Sequence, residues 1–142
     1  MKNTEVVFVD GVRSAFGTLG RSLRSFTMEQ LGGFVLAGLL KKTQILARGA
    51  KVDSVFAGSA MGGTSAVNPA RWVSLAGGLP QDTAASYVEM QCGSAIDSIN
   101  HAAWRILAGH ADVMIAGGME SYSQTCAKFS MSVEPYRMIP PS

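Results

Sequence analysis

The sequence predicts an α/β fold, with a mostly parallel β-sheet whose faces are covered by helices. Short apolar runs rich in β-branched residues alternate along the chain with longer segments that carry apolar residues at helical spacing. The order strand, helix, strand, helix, strand, helix, strand is βαβ repetition, which favours parallel pairing and helices packed on the sheet. The length of 142 residues suits one domain.

Four apolar runs are the predicted strands. They are EVVFVDG at 5–11, VDSVFAGSA at 52–60, AASYVEM at 84–90 and DVMIAGG at 112–118. Each is short and bounded by glycine or polar residues, as strands are. We therefore expect four strands, and the N-terminal run is expected to be a buried one.

The first predicted helix begins at Thr27, which has with Gln30 the spacing of a capping box. Apolar residues follow at helical spacing through Leu40. The segment also contains three glycines, which weaken a helix. They are Gly32, Gly33 and Gly38. We expect them to be tolerated because another backbone packs closely against them.

Two further helices are indicated by their ends. Asn68 and Pro69 form an N-cap followed by a first-turn proline, and the helix stops at the pair Gly77 and Gly78. The third helix covers 94–109 and ends at Gly109. After Gly118 the pattern has no sustained period, and an irregular segment is expected.

Composition and charge exclude several classes of function. The net charge of +2 gives no electrostatic basis for binding nucleic acid. No apolar run approaches the roughly 18 residues of a membrane span, and the N-terminus lacks the pattern of a secretory signal. Two cysteines do not make a disulfide framework, so a cytoplasmic location is predicted. The 47% hydrophobic content is high enough to indicate that part of the apolar surface is covered by a partner.

Cys92 is the candidate reactive residue, because it lies on the predicted turn between the third strand and the third helix. The unpaired N–H groups and positive partial charge of a helix N-terminus favour the thiolate. The same N–H groups can hold an oxyanion formed when the thiol attacks a carbonyl. Gly93 removes side-chain bulk beside the thiol, so a substrate can come close. The alternative is a small buried hydrophobic residue, and position alone leaves both open.

Four segments of the chain resemble the thiolase family, in that family's order and spacing. They are VVFVDGVRSAFGTLGRSL, NPARWVSLAGGLP, QCGSAIDSI and GHADVMIAGGMESYS. The resemblance implies an αβαβα-layered fold of two similar halves, of which this chain supplies the N-terminal one. Residues 1–118 would be the α/β core. Residues 119–142 would be the start of an inserted loop region, here cut short.

The resemblance also implies the chemistry. Thiolases transfer acyl groups between acyl-CoA thioesters, so Cys92 is expected to carry the acyl group, with its backbone N–H in the oxyanion site. Gly93 would contact the substrate, which is a coenzyme A thioester, and no metal or redox cofactor is implied. Thiolases are dimers or tetramers, so an oligomer is expected. Three departures from the common pattern are Ala95 in place of a glycine, Glu89 in place of an asparagine, and Arg-Ser-Ala at 13–15 in place of Arg-Thr-Pro.

The catalytic histidine and second catalytic cysteine of thiolases belong to C-terminal motifs that this chain lacks. His101 lies nine residues along the helix from Cys92, roughly 13 Å away, and His110 is farther. Both are expected to be surface residues, and Cys126 a structural thiol. The base would therefore come from a C-terminal thiolase half or a second subunit, and the chain by itself would be inactive.

Two other interpretations are kept. The chain could be a catalytically silent scaffold or acyl-CoA-binding protein, which would be distinguished by the absence of a co-purifying chain with the missing histidine. It could also be another condensing enzyme, such as a ketoacyl synthase, although the residues around Cys92 favour thiolase. Glu120 is a candidate structural hydrogen-bond partner, and four arginines are candidates for contact with coenzyme A phosphates. These are Arg13, Arg21, Arg24 and Arg71.

Overall fold

The computed structural model of the chain describes residues 5–62 and 67–126, and the backbone of two short strands at 130–131 and 138–139. Its main elements are α1 (Met28–Thr43), β1 (Ser54–Gly58), α2 (Pro69–Ala76), β2 (Ala84–Val88), α3 (Ser94–Leu107) and β3 (Met114–Gly118). The region after Gly118 contains a 3-10 helix (Tyr122–Gln124) and a two-residue antiparallel pairing of β4 (Ser130–Met131) with β5 (Met138–Ile139). No helix in the described ranges is long and apolar enough to cross a membrane.

The sheet has three parallel strands in the order β2-β1-β3, which confirms the predicted parallel α/β fold. All five residues of the central strand β1 are buried. Gly58, the last of them, lies beside Val88 of β2 and Gly118 of β3. The three strands therefore end together, and the chain leaves all three at the same edge of the sheet. We call this the carboxyl edge.

Alternate residues of β1 face two separate cores. Val55 and Ala57 belong to a larger core that contains residues of α1 and α2, such as Leu36 and Val73. Phe56 belongs to a smaller core with Val88 and Ala102 of α3. Because side chains alternate across a strand, α1 and α2 cover one face of the sheet and α3 covers the other.

The glycines of α1 were expected to allow close packing, and two of the three do. A Cβ atom at Gly32 would lie 2.7 Å from Val73 Cγ2, and one at Gly33 would lie 2.9 Å from Ala76 Cβ. Both contacts are with α2, so these glycines let the two helices approach closely. At Gly38 the expectation is wrong, since a Cβ there would meet no atom within 4 Å.

The N-terminal run at 5–11 is not the buried strand that the sequence predicts. Residues 5–11 are outside regular structure, and Val7, Phe8 and Val9 are 66%, 83% and 78% exposed. The run is held near α1 by Asp10, whose Oδ1 accepts a hydrogen bond from Lys42 Nζ at 2.7 Å. β-Branched residues supply strand propensity, but a strand also needs a neighbour to pair with. The described strands provide none for this segment.

Asp53 joins β1 to β3 at the edge of the sheet opposite the carboxyl edge. Its Oδ2 accepts hydrogen bonds from the backbone N–H groups of Asp112, at 2.8 Å, and Val113, at 3.1 Å. These two bonds, the Val113 bond first, hold the pKa of the Asp53 carboxyl below its ordinary value. We call this arrangement the amino-edge clip.

We expect the amino-edge clip to make stability depend on pH in acid. A carboxyl whose folded-state pKa is lowered stabilises the fold above its unfolded value, and that contribution is lost as the pH falls through the folded-state pKa. Asp53→Asn should therefore lower the urea midpoint at pH 7. The difference from the unchanged chain should shrink as the pH falls below about 4. A difference that is constant from pH 7 to pH 2.5 would contradict this explanation.

Candidate active site

Cys92 lies on a tight turn that leaves β2 at the carboxyl edge and enters α3, as the sequence predicted. We call residues 89–93 the elbow. Gly93 N donates to Met90 O at 3.0 Å, and Ser94 N donates to Gln91 O at 3.1 Å. Cys92 itself is exposed. The elbow thus presents the thiol to solvent just before the N-terminus of α3, at the edge where ligands bind in open α/β sheets.

The elbow contains a strained residue, Gln91, whose φ of 49° is in the left-handed region. This conformation is unfavourable for a residue with a side chain and persists when its surroundings over-determine it. Glu89 Oε1 accepts hydrogen bonds from Gln91 N at 2.8 Å and from Gln91 Nε2 at 3.2 Å. Glu89, a departure from the common thiolase pattern, therefore holds the strained residue next to Cys92.

The Ser94 hydroxyl stabilises the elbow through two hydrogen bonds to its backbone. Its hydroxyl accepts a hydrogen bond from Met90 N at 2.9 Å and donates one to Gln91 O at 2.7 Å. The residue is buried, so these bonds lie largely away from competing water. The first residue of α3 therefore closes the turn onto the two residues that precede Cys92.

The start of α3 packs directly on the ends of β1 and β3, and two glycines allow this. A Cβ at Gly58 would lie 2.6 Å from the backbone carbon of Ser94. A Cβ at Gly118 would lie 2.6 Å from Ala95 Cβ. Neither distance is compatible with a side chain, so glycine at both positions determines how close the elbow comes to the carboxyl edge.

Gly93 is in a crowded position. A Cβ there would overlap the terminal methyl of Met90 and lie 3.3 Å from Met90 O. The space that glycine leaves is occupied by the Met90 side chain, which is half exposed. The predicted contact of Gly93 with a substrate stays a prediction, and it requires the flexible Met90 side chain to move.

The contacts that the structure gives for the two histidines are with residues outside the elbow. The ring of His101 stacks on Phe56, with centroids 5.7 Å apart, and its Nε2 lies 3.4 Å from Asp97 Oδ2. His110 is exposed in the turn after α3, where its backbone N–H donates to Arg105 O. Cys126 is partly exposed and does not form a disulfide with Cys92. No group of three or more potential metal ligands occurs among the residues described.

Glu120 is a structural hydrogen-bond partner at the carboxyl edge, as expected from the sequence. Its carboxylate accepts from Ser59 Oγ at 3.1 Å and from the N–H groups of Ala60 and Met61, at 2.8 and 3.3 Å. The sequence analysis missed Tyr87, whose hydroxyl donates to Ser59 O at 2.7 Å. No local pattern marks this bond, because 28 residues separate its partners.

The four arginines have different environments. Arg71 donates to Thr83 O at 2.6 Å and to Gln81 O at 2.7 Å, so its guanidinium joins α2 to the segment before β2. Arg13 lies over the ring of Phe16. Arg21 and Arg24 are exposed. Arg24 lines an open cleft between residues 19–25 and 122–124, and Arg21 and Arg24 line a second open cleft within residues 21–25. Contact of the four arginines with coenzyme A phosphates stays a prediction.

We expect the contact between Gly118 and Ala95 to respond to paired substitution. Gly118→Ala should destabilise the chain by about 1–3 kcal/mol, because its methyl would overlap Ala95 Cβ. Adding Ala95→Gly should recover most of this loss, although a glycine inside α3 by itself costs up to about 1 kcal/mol. Urea unfolding of the two single variants and the double variant measures the coupling.

Gly38→Ala is the matched control, since the position is in the open on α1, and it should be neutral or stabilising. Additive effects of Gly118→Ala and Ala95→Gly would contradict the packing described.

Comparison with known proteins places this site in a family. The family model described as the thiolase N-terminal domain matches residues 6–138. An acetyl-CoA acetyltransferase of Allochromatium vinosum is 37% identical over 136 residues, which are 96% of this chain and 34% of that protein. A steroid 3-ketoacyl-CoA thiolase of Mycobacterium tuberculosis is 39% identical over 132 residues, 92% of this chain and 32% of that protein.

A solved structure agrees with these relatives. The crystal structure of the acetyl-CoA acetyltransferase of Bacillus anthracis superposes with a TM-score of 0.72 at 29% identity, over 84% of this chain and 29% of that one. The chain thus spans about a third of the length of the relatives it matches. By its sequence and its fold, this chain belongs to the thiolase family and corresponds to that family's N-terminal domain.

Proposed function

We propose that the chain provides the nucleophile of an acyltransferase of the thiolase type, with Cys92 carrying the acyl group. The observation that supports this most directly is the elbow: an exposed thiol follows a strained residue and precedes a helix N-terminus. A strained turn between strand and helix is a known way of exposing a catalytic nucleophile. The names of the similar proteins, acetyl-CoA acetyltransferase and 3-ketoacyl-CoA thiolase, support an acyl-CoA substrate.

The proposed first step is attack of the Cys92 thiolate on the thioester carbonyl of an acyl-CoA. A bond forms between Sγ and the carbonyl carbon, the carbonyl oxygen becomes an oxyanion, and the bond to the sulfur of coenzyme A then breaks. Coenzyme A leaves as a thiolate and takes up a proton. Electrons move only between the two sulfurs and the carbonyl, so the step requires no metal or redox cofactor.

The oxyanion would be held by the backbone N–H of Cys92. The hydrogen bonds described for the elbow use the N–H groups of Met90, Gln91, Gly93 and Ser94, and the Cys92 N–H is not among them. This N–H also lies beside the N-terminus of α3, whose partial positive charge stabilises a nearby anion. One such donor is half of the usual pair, so a second is expected from outside the described residues.

The acyl group is next passed to a second acyl-CoA or to free coenzyme A, and this step requires a base. His101 stacks on Phe56 and pairs with Asp97, and His110 lies beyond the far end of α3, so neither is placed to serve the thiol. We propose that the base comes from a C-terminal thiolase half, on the same polypeptide or on a second subunit.

The outer face of α3 supports a partner of this kind. The buried residues of α3 are small, namely Ser94, Ser98 and Ala102. Its large apolar residues point away from the sheet: Ile96 is 64% exposed, Trp104 56% and Leu107 54%. A helix of a two-sided layer shows this pattern, because it must be covered on both faces. The proposed partner is a layer of helices packed on α3, within a larger oligomer.

A silent acyl-CoA-binding scaffold is the second candidate, and the absence of a histidine placed near Cys92 among the described residues favours it. Acylation distinguishes the two, because a scaffold would bind acyl-CoA without forming a covalent bond. The same experiment does not depend on the missing base, since the thiolate alone carries out the first step.

We expect incubation with acetyl-CoA at pH 8 to add one acetyl group to Cys92, because the elbow exposes the thiol at the N-terminus of α3. Intact-mass analysis followed by peptide mapping measures this. Cys92→Ser should abolish the addition, and Cys126→Ser, the control with the other thiol removed, should keep it. Equal acetylation of Cys92 and Cys126, or none at either, would contradict the proposed role of Cys92.

A further inference from the structure

Glu120 holds the turn that follows β1. Besides the two backbone bonds to Ala60 and Met61, its carboxylate accepts the Ser59 hydroxyl with both oxygens, each at 3.1 Å. Gly62 N donates to the same hydroxyl at 3.3 Å, so residues 59–62 turn around one anionic group. Hydrogen bonds to a carboxylate are stronger than neutral ones, and several converge here. We call this arrangement the carboxyl-edge clip.

The carboxyl-edge clip is connected to the strand that carries the elbow. Ser59 N donates to Val88 O at 3.2 Å, and Ser59 O accepts the Tyr87 hydroxyl at 2.7 Å. Tyr87 and Val88 are the last two residues of β2, and the elbow begins at the next residue. The same serine that Glu120 holds by its side chain therefore holds the end of β2 by its backbone.

Burial, with nearby negative charge, keeps the Tyr87 hydroxyl protonated and able to donate. Burial raises the pKa of the Tyr87 phenol, and the charges of Glu89 and Glu120 raise it further. The hydroxyl therefore stays protonated well beyond neutral pH and can donate to Ser59. Hydrogen bonds join Glu120 to Ser59 and Ser59 to Tyr87, and the backbone of residues 87–89 connects them to the elbow, where Glu89 accepts from Gln91.

We propose that Glu120 is a positioning residue for Cys92: by holding Ser59, it fixes the end of β2 and so the place at which the elbow presents the thiol. Glu120 is not proposed to touch a substrate. The inference rests on Cys92 being the nucleophile of the proposed function. Its test measures alkylation of the thiol, which requires no acyl-CoA, no base and no partner, so the two ideas can fail separately.

Asp53 provides a matched control at the other end of the same two strands. In the amino-edge clip Asp53, which precedes β1, accepts hydrogen bonds from two backbone N–H groups that precede β3. In the carboxyl-edge clip Glu120, which follows β3, accepts hydrogen bonds from backbone N–H groups that follow β1. Both join β1 to β3 by the same chemistry. Only the carboxyl-edge clip lies beside the elbow, so a general loss of stability and a specific effect on Cys92 can be separated.

The experiment compares Glu120→Gln with Asp53→Asn in the full chain. Glutamine keeps the size of the side chain but replaces one acceptor oxygen with an NH2 group facing donors. The rate at which iodoacetamide alkylates Cys92 is measured from pH 6 to 9 by peptide mass analysis, relative to glutathione in the same tube. Urea midpoints of both variants are measured alongside.

Both substitutions should lower the urea midpoint. Glu120→Gln should also slow the alkylation of Cys92 at pH 7 by about two- to fivefold, which is the size of the advantage that alignment with a helix N-terminus gives an anion. Asp53→Asn should leave that rate unchanged. An unchanged rate in Glu120→Gln, or an equal change in both variants, would overturn the proposal.

Tyr87→Phe keeps the test decisive if Glu120→Gln fails to fold. It removes one hydroxyl from the same set of contacts and leaves the carboxyl-edge clip intact. The proposal requires it to slow Cys92 alkylation in the same direction as Glu120→Gln. A Tyr87→Phe rate equal to that of the unchanged chain would also overturn the proposal, because the bond from the Tyr87 hydroxyl to Ser59 would then have no effect on Cys92.

Discussion

The close approach of α3 to the carboxyl edge of the sheet is the constraint on which the rest of this structure depends. Ser94 and Ala95 lie against positions 58 and 118 at distances that only glycine permits. Because α3 begins so near the strand ends, the chain has only the elbow in which to reverse direction after β2. The left-handed Gln91 and the hydrogen bonds of Ser94 follow from that shortage of space. The exposed position of Cys92 follows from it as well.

The same constraint explains why the residues of the candidate site collect at one edge. Three parallel strands end in register, so the residues that follow them meet there: the turn at 59–62, the elbow, and Glu120. Parallel sheets commonly place their sites at this edge. The opposite edge has the Asp53 clip, which stabilises the same strands without adjoining the thiol. Similar carboxylate hydrogen bonds thus join β1 to β3 at both ends, and those at the carboxyl edge are the ones beside the elbow.

Local signals predicted what local interactions determine. The capping box of Thr27 and Gln30, the N-cap at Asn68 and the proline after it are all present, and the helices begin where these residues placed them. The turn at Cys92 was located from the spacing between a strand and a helix. Each of these features depends on residues within about four positions of each other, which a sequence displays directly.

Features set by distant residues were not predictable in this way. The run at 5–11 has the composition of a buried strand, yet no described strand pairs with it, and pairing is a property of the whole sheet. Gly38 lies in the same helix as Gly33 but faces open space. The bond from Tyr87 to Ser59 and the large apolar residues on the outer face of α3 depend on which elements become neighbours. The hydrophobic content of the sequence predicted an apolar surface that a partner would cover, but it did not predict where on the fold that surface lies.

The most direct test of the account is whether folding makes Cys92 more reactive. Its alkylation rate at pH 7 can be measured in the folded chain and in the same chain unfolded in urea, each relative to glutathione. The unfolded thiol is fully accessible, so access alone cannot make the folded thiol faster. If the partial positive charge at the N-terminus of α3 acts on Sγ of Cys92, the folded chain should react about two- to fivefold faster. A folded rate equal to or below the unfolded rate would contradict the account, because the elbow would then be only a turn that contains a cysteine.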